Sequence, residues 1–183
     1  FILSSFYIGY ILTQIIGGLL SDRMGAKIVL GVGLIVWSIF TFITPWAFYG
    51  GFAALIIARI GMGLGEGITF PAWHSLYARW IPFSERARSV AITNSAIPIG
   101  TIFGLVVTPI IILRLGWEWA FYLYGGLGFI WYIYWQKIVF STPKEDPNIS
   151  EEELEYITNN APASNKAETL AFSKWRGNLP LWA

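Results

Sequence analysis

An all-α membrane protein is predicted by three features of this 183-residue sequence: 55% of it is hydrophobic, only 13% is charged, and the apolar residues fall in runs long enough to cross a bilayer. Soluble domains carry about 25% charged residues. The mean hydropathy of +0.57 points the same way. An α-helix needs about 20 apolar residues to cross the hydrocarbon, and windows of that length lie near 1–20, 28–46, 52–76, 89–113 and 120–140. Their continuous apolarity, with Gly and Pro scattered through it, favours helices over barrel strands, which alternate apolar and polar.

The first window places Tyr7, Tyr10 and Gln14 at helical spacing on one face. They suit hydrogen bonding to a polar ligand, or packing and interface anchoring. The charged turn 21–27 follows. In it Asp22 is expected near the positive N-terminus of the second helix and Gly25 in a tight turn, with Arg23 and Lys27 in the aqueous layer. The chain opens on Phe1 inside an apolar run and closes on a new one at 180–183, which reads as a piece cut at both ends.

The third window carries the most informative feature, Arg59 and Glu66 inside one apolar run. A charge in lipid costs a few kcal/mol or more, so two opposite charges retained in one span point to use rather than accident. Seven residues make about two turns, which puts both side chains on nearly one face, roughly 10 Å apart along the axis. That face should line a cavity. Gly61, Gly63, Gly65 and Gly67 form overlapping small-xxx-small spacings suited to close helix contact. His74, the only histidine, lies within about 80° of Glu66 around a continuous helix. It is either a proton relay or, more plainly, a helix-end residue bonded to backbone.

In the fourth window, Gly100 and Gly104 are expected to serve helix packing, and Pro98 and Pro109 to supply bends. Trp117, Trp119, Phe121 and Tyr122 open the fifth and read as an aromatic belt rather than a site. Between the windows, basic residues are one-sided. Arg23, Lys27, Arg79, Arg86, Arg88, Lys137, Lys144, Lys166, Lys174 and Arg176 lie on one side, against Arg114 on the other. By the positive-inside bias, loops 21–27, 77–88 and 141–179 are cytoplasmic.

Beyond the fifth window, 141–179 is acidic and polar. Ser150 followed by Glu153 is a capping box for a short helix over about 151–159, with Leu154 and Ile157 as its apolar edge. Such stretches seldom pack firmly, so a solvated linker is expected. The chain has no cysteine, which excludes disulfides and thiolate metal sites.

The run from Gly18 to Lys27 resembles the loop between the second and third helices of the major facilitator superfamily of secondary transporters. It does so through Gly18, Asp22, Arg23, Gly25 and Lys27, while Ala26 stands where a basic residue is usual. The run 59–89 is similar to the fourth helix and following loop of that superfamily's anion:cation symporter family. The matched residues are Arg59, Gly65-Glu66-Gly67, Phe70-Pro71-Ala72, Trp80, Pro82 and Glu85-Arg86-x-Arg88. Leu3 departs from the histidine expected of the vesicular glutamate members.

The resemblance implies a major facilitator fold in which 1–140 supplies helices two to six of twelve, 141–179 the central cytoplasmic loop with a short helix, and 180–183 the start of helix seven. It implies that the loop 18–27 acts as a gate latch, that Glu66 takes part in proton coupling and that Arg59 takes part in anion recognition or in controlling that acid. The implied carrier moves an organic anion or phosphate with H⁺ or Na⁺, without another cofactor. It works in a lipid bilayer, of which a bacterial inner membrane is the simplest case, with a C-terminal six-helix half as partner and no nucleic acid.

Rival expectations are a carrier of neutral solutes or drugs in which Arg59 and Glu66 merely pair, and a membrane sensor that transports nothing. An enzyme is disfavoured, since His74 alone offers a base and no metal-ligand cluster stands in the sequence.

Overall fold

The computed structural model describes residues 1–160, and all regular structure among them is helical. The helices are α1 (Ile2–Met24), α2 (Ala26–Tyr49), α3 (Phe52–Gly67), α4 (Thr69–Trp80), α5 (Phe83–Leu115), α6 (Trp117–Ile138) and α7 (Glu151–Asn160), with a single 3-10 turn at Pro143–Glu145. Four runs, Ile2–Met24, Ala26–Tyr49, Phe52–Trp80 and Phe83–Leu115, are long and apolar enough to cross a membrane. The fifth predicted window forms α6, which at 22 residues has spanning length but carries Trp and Tyr at many positions.

The charged segments expected as loops are mostly helix. Asp22 and Arg23 end α1, and Glu85, Arg86 and Arg88 open α5, leaving Gly25 alone between α1 and α2, and Ile81 and Pro82 between α4 and α5. The reason is length. The 33 residues of α5 rise roughly 50 Å against a hydrocarbon core of about 30 Å, so its charged end stands in the headgroup layer while still helical. A one-residue junction demands an unusual backbone, and Gly25 supplies it with φ 90° and ψ 137°. Asp22 is therefore not at the start of α2. Its Oδ1 accepts from Ser75 Oγ of α4 at 3.3 Å.

The third window is also not one straight helix. It breaks at Ile68 into α3 and α4. Pro71 has no N–H to give the Gly67 carbonyl, and the ladder resumes with the Ala72 N–H on the Ile68 carbonyl at 3.2 Å.

Glycines set the packing. α3 lies between α1 and α2, and its glycines divide into two stripes four residues apart. A Cβ on Gly63 would lie 2.9 Å from the Tyr10 nitrogen of α1, and Gly67 meets Tyr10 and Thr13. On the opposite side a Cβ on Gly65 would lie 2.7 Å from the Gly33 carbonyl oxygen of α2, and Gly61 carries the Phe40 ring. Backbones at this separation gain van der Waals contact that larger side chains would forbid. α6 packs on the other side of α2, where Gly125 meets Phe42 and Gly128 meets Ser38. Val29, Ile68 and Ala72 form the buried apolar centre, with Leu20 and Leu30 against it.

Among the described residues nothing lies within 4 Å of a Cβ built on Gly100 or Gly104, no residue of α5 is buried, and Pro98 and Pro109 sit inside the helix without ending it. α5 packs chiefly on α6. Hydroxyl pairs hold it at two levels, Tyr77 with Thr93 and Tyr124 with Thr108.

The capping box is half observed. Ser150 Oγ accepts the Glu153 N–H at 3.1 Å at the start of α7, and Ile157 is buried at 6% exposure. The expected solvated linker is thus a docked helix over this stretch. The remainder of the predicted loop and the apolar start at 180–183 lie outside the described residues.

Candidate functional site

Arg59 and Glu66 both lie on α3, Glu66 in its last turn beside the break at Ile68. At about 100° per residue, Arg59, Met62 and Glu66 share the side of α3 between its two glycine stripes. Both charged side chains are half-buried. The shared face expected from the spacing fits this helix, but only its Arg59 and Met62 part lines the cavities described next.

Arg59 lines a cavity of about 390 Å³ with Ile2, Thr44, Phe48, Leu55, Trp117 and Phe121, contributed by α1, α2, α3 and α6. Its Nη1 contacts Met62 Sδ at 3.9 Å, and its enclosed Nε has no hydrogen-bond partner among the described residues. Thr44 Oγ1 meets the same sulfur from α2 at 3.9 Å. Met62 in turn lines a second cavity of about 510 Å³, bounded by Trp37, Ser38, Thr41, Tyr124 and Trp131 among others. The thioether thus stands between the guanidinium and the larger space. Glu66 belongs to the lining of neither cavity. No hydrogen bond or ion pair joins it to Arg59 among the described residues.

The other predicted residues are dispersed. Tyr7 is 61% exposed, and it and Tyr10 form a ring cluster with Phe6. Gln14 is exposed on the same helix. His74 is exposed on α4, beyond the break, and among the described residues its side chain makes no hydrogen bond to Glu66 or to backbone.

The predicted gating loop is held by its own neighbours. Lys27 Nζ donates to the Gln136 carbonyl at 2.9 Å and lies 5.1 Å from the centre of the Phe140 ring. Trp135 Nε1 donates back to the Lys27 carbonyl at 3.1 Å. Arg79 Nη2 reaches the Asp22 carbonyl at 3.5 Å. Gly18 packs near Pro71, and Gly25 is closed off by Ser141. Arg23 is exposed. In the second charged segment, Glu85 accepts from Tyr156 Oη at 2.9 Å. Arg86 caps the end of α4 through the Ala78 and Ile81 carbonyls, at 3.4 Å each, and Arg88 is exposed.

Sequence reasoning missed Thr44, Phe48, Trp117 and Phe121 as neighbours of Arg59. Trp117 and Phe121 carried a belt signal and do form aromatic contacts, Trp117 with Phe48 at 5.0 Å and with Phe121 at 5.9 Å. Only the packing of α6 on α2 brings them to α3, and no local pattern announces that. Chemically, the cavity offers a cationic fork with unused donors in apolar walls, a setting in which a charge-assisted bond to an anion is strong. No group of three or more His, Asp or Glu side chains suited to a metal gathers among the described residues.

Comparison with known proteins fits this geometry. The chain is 41% identical to the chloroplastic ascorbate transporter of Arabidopsis thaliana over 98% of its own length and 33% of the relative's. It is 39% identical to the chloroplastic sodium-dependent phosphate transport protein 1 of the same plant, over 98% of the chain and 35% of the relative. It is 37% identical to human sialin, over 100% of the chain and 37% of the relative. The chain thus spans about a third of the length of these curated relatives. With the profile of the Major Facilitator Superfamily matching residues 1–183, the chain belongs to that superfamily of membrane proteins.

Proposed function

We propose that this chain is part of a secondary active carrier that moves a small organic anion or phosphate by alternating access, coupled to H⁺ or Na⁺. The observation that carries the reading is Arg59, a guanidinium inside a membrane run that lines a cavity and has no carboxylate bonded to it among the described residues. A cation kept in such a run is costly without a partner, so a site of this kind favours an anion there. Relatives named for ascorbate and for phosphate, and one named a probable anion transporter, support the same substrate class. In this reading Glu66 carries or gates the coupling ion, beside the helix break where backbone carbonyls are freed.

The wholly unburied α5, with open space at Gly100 and Gly104, supports a second six-helix half as the body it moves against. The basic bias supports a cytoplasmic side formed by 21–27, 77–88 and the segment after α6, in a cell membrane. The test is uptake of labelled phosphate or ascorbate by the full-length protein in vesicles with an imposed pH or Na⁺ gradient. Glu66→Gln should retain anion binding and lose the response to the gradient. Unchanged coupling in that variant, or no competition among anions for uptake, would overturn the reading.

A further inference from the structure

The segment that follows α6 does not simply leave the bundle. At its start, Trp80 Nε1 of α4 donates to the Phe140 carbonyl at 3.0 Å, and the Phe140 ring lies under the Lys27 ammonium of α2 at 5.1 Å. Ser141 fills the place beside Gly25, where a Cβ would come within 2.7 Å of its Oγ. Glu145 then closes the turn by accepting the Ser141 N–H at 3.3 Å and the Thr142 hydroxyl at 3.0 Å, and Pro143 is buried. After the Ser150 cap, α7 returns with Ile157 buried and with Tyr156 Oη on Glu85 Oε1, in the first turn of α5.

We propose that residues 140–160 form a strap across the cytoplasmic ends of α2, α4, α5 and α6, and that the Tyr156–Glu85 hydrogen bond is its release point. The inner fastenings, at Phe140 and Pro143, are partly or wholly buried. The outer one is not: Tyr156 is 48% exposed, and its bond to Glu85 is open to water. Exposed contacts at the end of a docked element open first.

What the outer fastening controls follows from α5. Among the described residues its cytoplasmic end is tied by the Tyr77–Thr93 hydroxyl pair, by Arg86 on the α4 carbonyls and by Tyr156 on Glu85. Releasing α7 removes the last of these ties and loosens the first turn of α5. The strap thereby sets whether the cytoplasmic ends move as one body. It concerns mechanics alone and holds whether or not the cargo is an anion.

The test uses the full-length protein in lipid vesicles with one reporter thiol introduced by Glu152→Cys on the exposed side of α7, and in a second preparation by Ser89→Cys in α5. Maleimide labelling rates are measured in the parent and with Tyr156→Phe or Glu85→Leu added. The proposal expects both substitutions to raise the rate at both reporters by at least about two-fold. Glu85→Gln, whose amide oxygen still accepts from Tyr156, should restore the parent rates. Unchanged rates at 152 would show that the bond does not hold α7. A rise at 152 with none at 89 would show that α7 does not control α5, and either result overturns the strap.

Discussion

Lys27 donates to the Gln136 carbonyl oxygen at 2.9 Å, joining the start of α2 to the last turn of α6. The motif lysine is therefore engaged within its own bundle. A cation at a helix C-terminus completes orphan carbonyls and opposes the negative end of the dipole.

It follows that Lys27→Met should lower the stability of the bundle by about 1.5–3 kcal/mol, the range for a hydrogen bond to a charged group. Thermal unfolding of the detergent-solubilised full-length protein reads this directly. Lys27→Arg should recover most of the loss. A Lys27→Met protein as stable as the parent would mean that the bond to Gln136 contributes nothing.

The glycines divide into two behaviours that mutation separates. Gly65→Leu would drive a side chain into the Gly33 carbonyl and the Trp37 backbone, so a loss at or above the 1–3 kcal/mol typical of overpacking is expected, with poor recovery of folded protein. Gly100→Ala meets nothing within 4 Å among the described residues, so within this chain helix propensity favours it by about 0.5–1 kcal/mol. Because a second half is proposed to seat on α5, Gly100→Ala in the full-length protein should slow transport without unfolding it. Paired unfolding and uptake measurements check this, and unchanged uptake would place Gly100 away from that seat.

Arg59 should not tolerate its usual substitute. Lysine keeps the charge but loses the planar fork, so Arg59→Lys is expected to raise the KM for anion uptake about tenfold, equivalent to about 1.4 kcal/mol. Arg59→Gln should cost more still. Trp117→Ala opens the wall of the same cavity and should raise KM with less effect on the maximal rate. Initial-rate uptake in vesicles checks all three, and an unchanged KM in Arg59→Gln removes Arg59 from anion recognition.

How much of this was legible in the sequence depends on the range of the cause. The positions of Arg59 and Glu66 stand out because a charge within an apolar run needs a reason, and the glycine spacing of α3 announces close contact because small residues recur on a helical period. Which stripe meets α1 and which meets α2 depends on chain crossings that spacing does not encode. The charged turns were read as loops because charge marks the headgroup layer, yet helices enter that layer intact, as the first turn of α5 shows at Glu85. The break at Ile68 had a local sign in Pro71. Thr44, Phe48 and Trp117 around Arg59 had none, since α2 and α6 bring them there.

The Tyr156–Glu85 contact gives the docking of α7 a pH limit with a definite sign. The hydrogen bond to Glu85 and the negative charge of that carboxylate raise the Tyr156 phenol above its ordinary 10.0, with burial adding in the same sense and Ser84 opposing. A group whose pKa is raised on folding contributes stability that is fully present below its unfolded value and lost as pH climbs through the folded one. Docking of α7 should therefore be constant from neutral pH up to about 9 and weaken only beyond 10, where a phenolate would face a carboxylate. A nitroxide attached after Glu152→Cys reports this as mobility that is flat across the lower range and rises above it. Tyr156→Phe should abolish the rise and leave the label mobile throughout. Were the label to loosen between pH 6 and 8 instead, a group other than Tyr156 would be holding the helix.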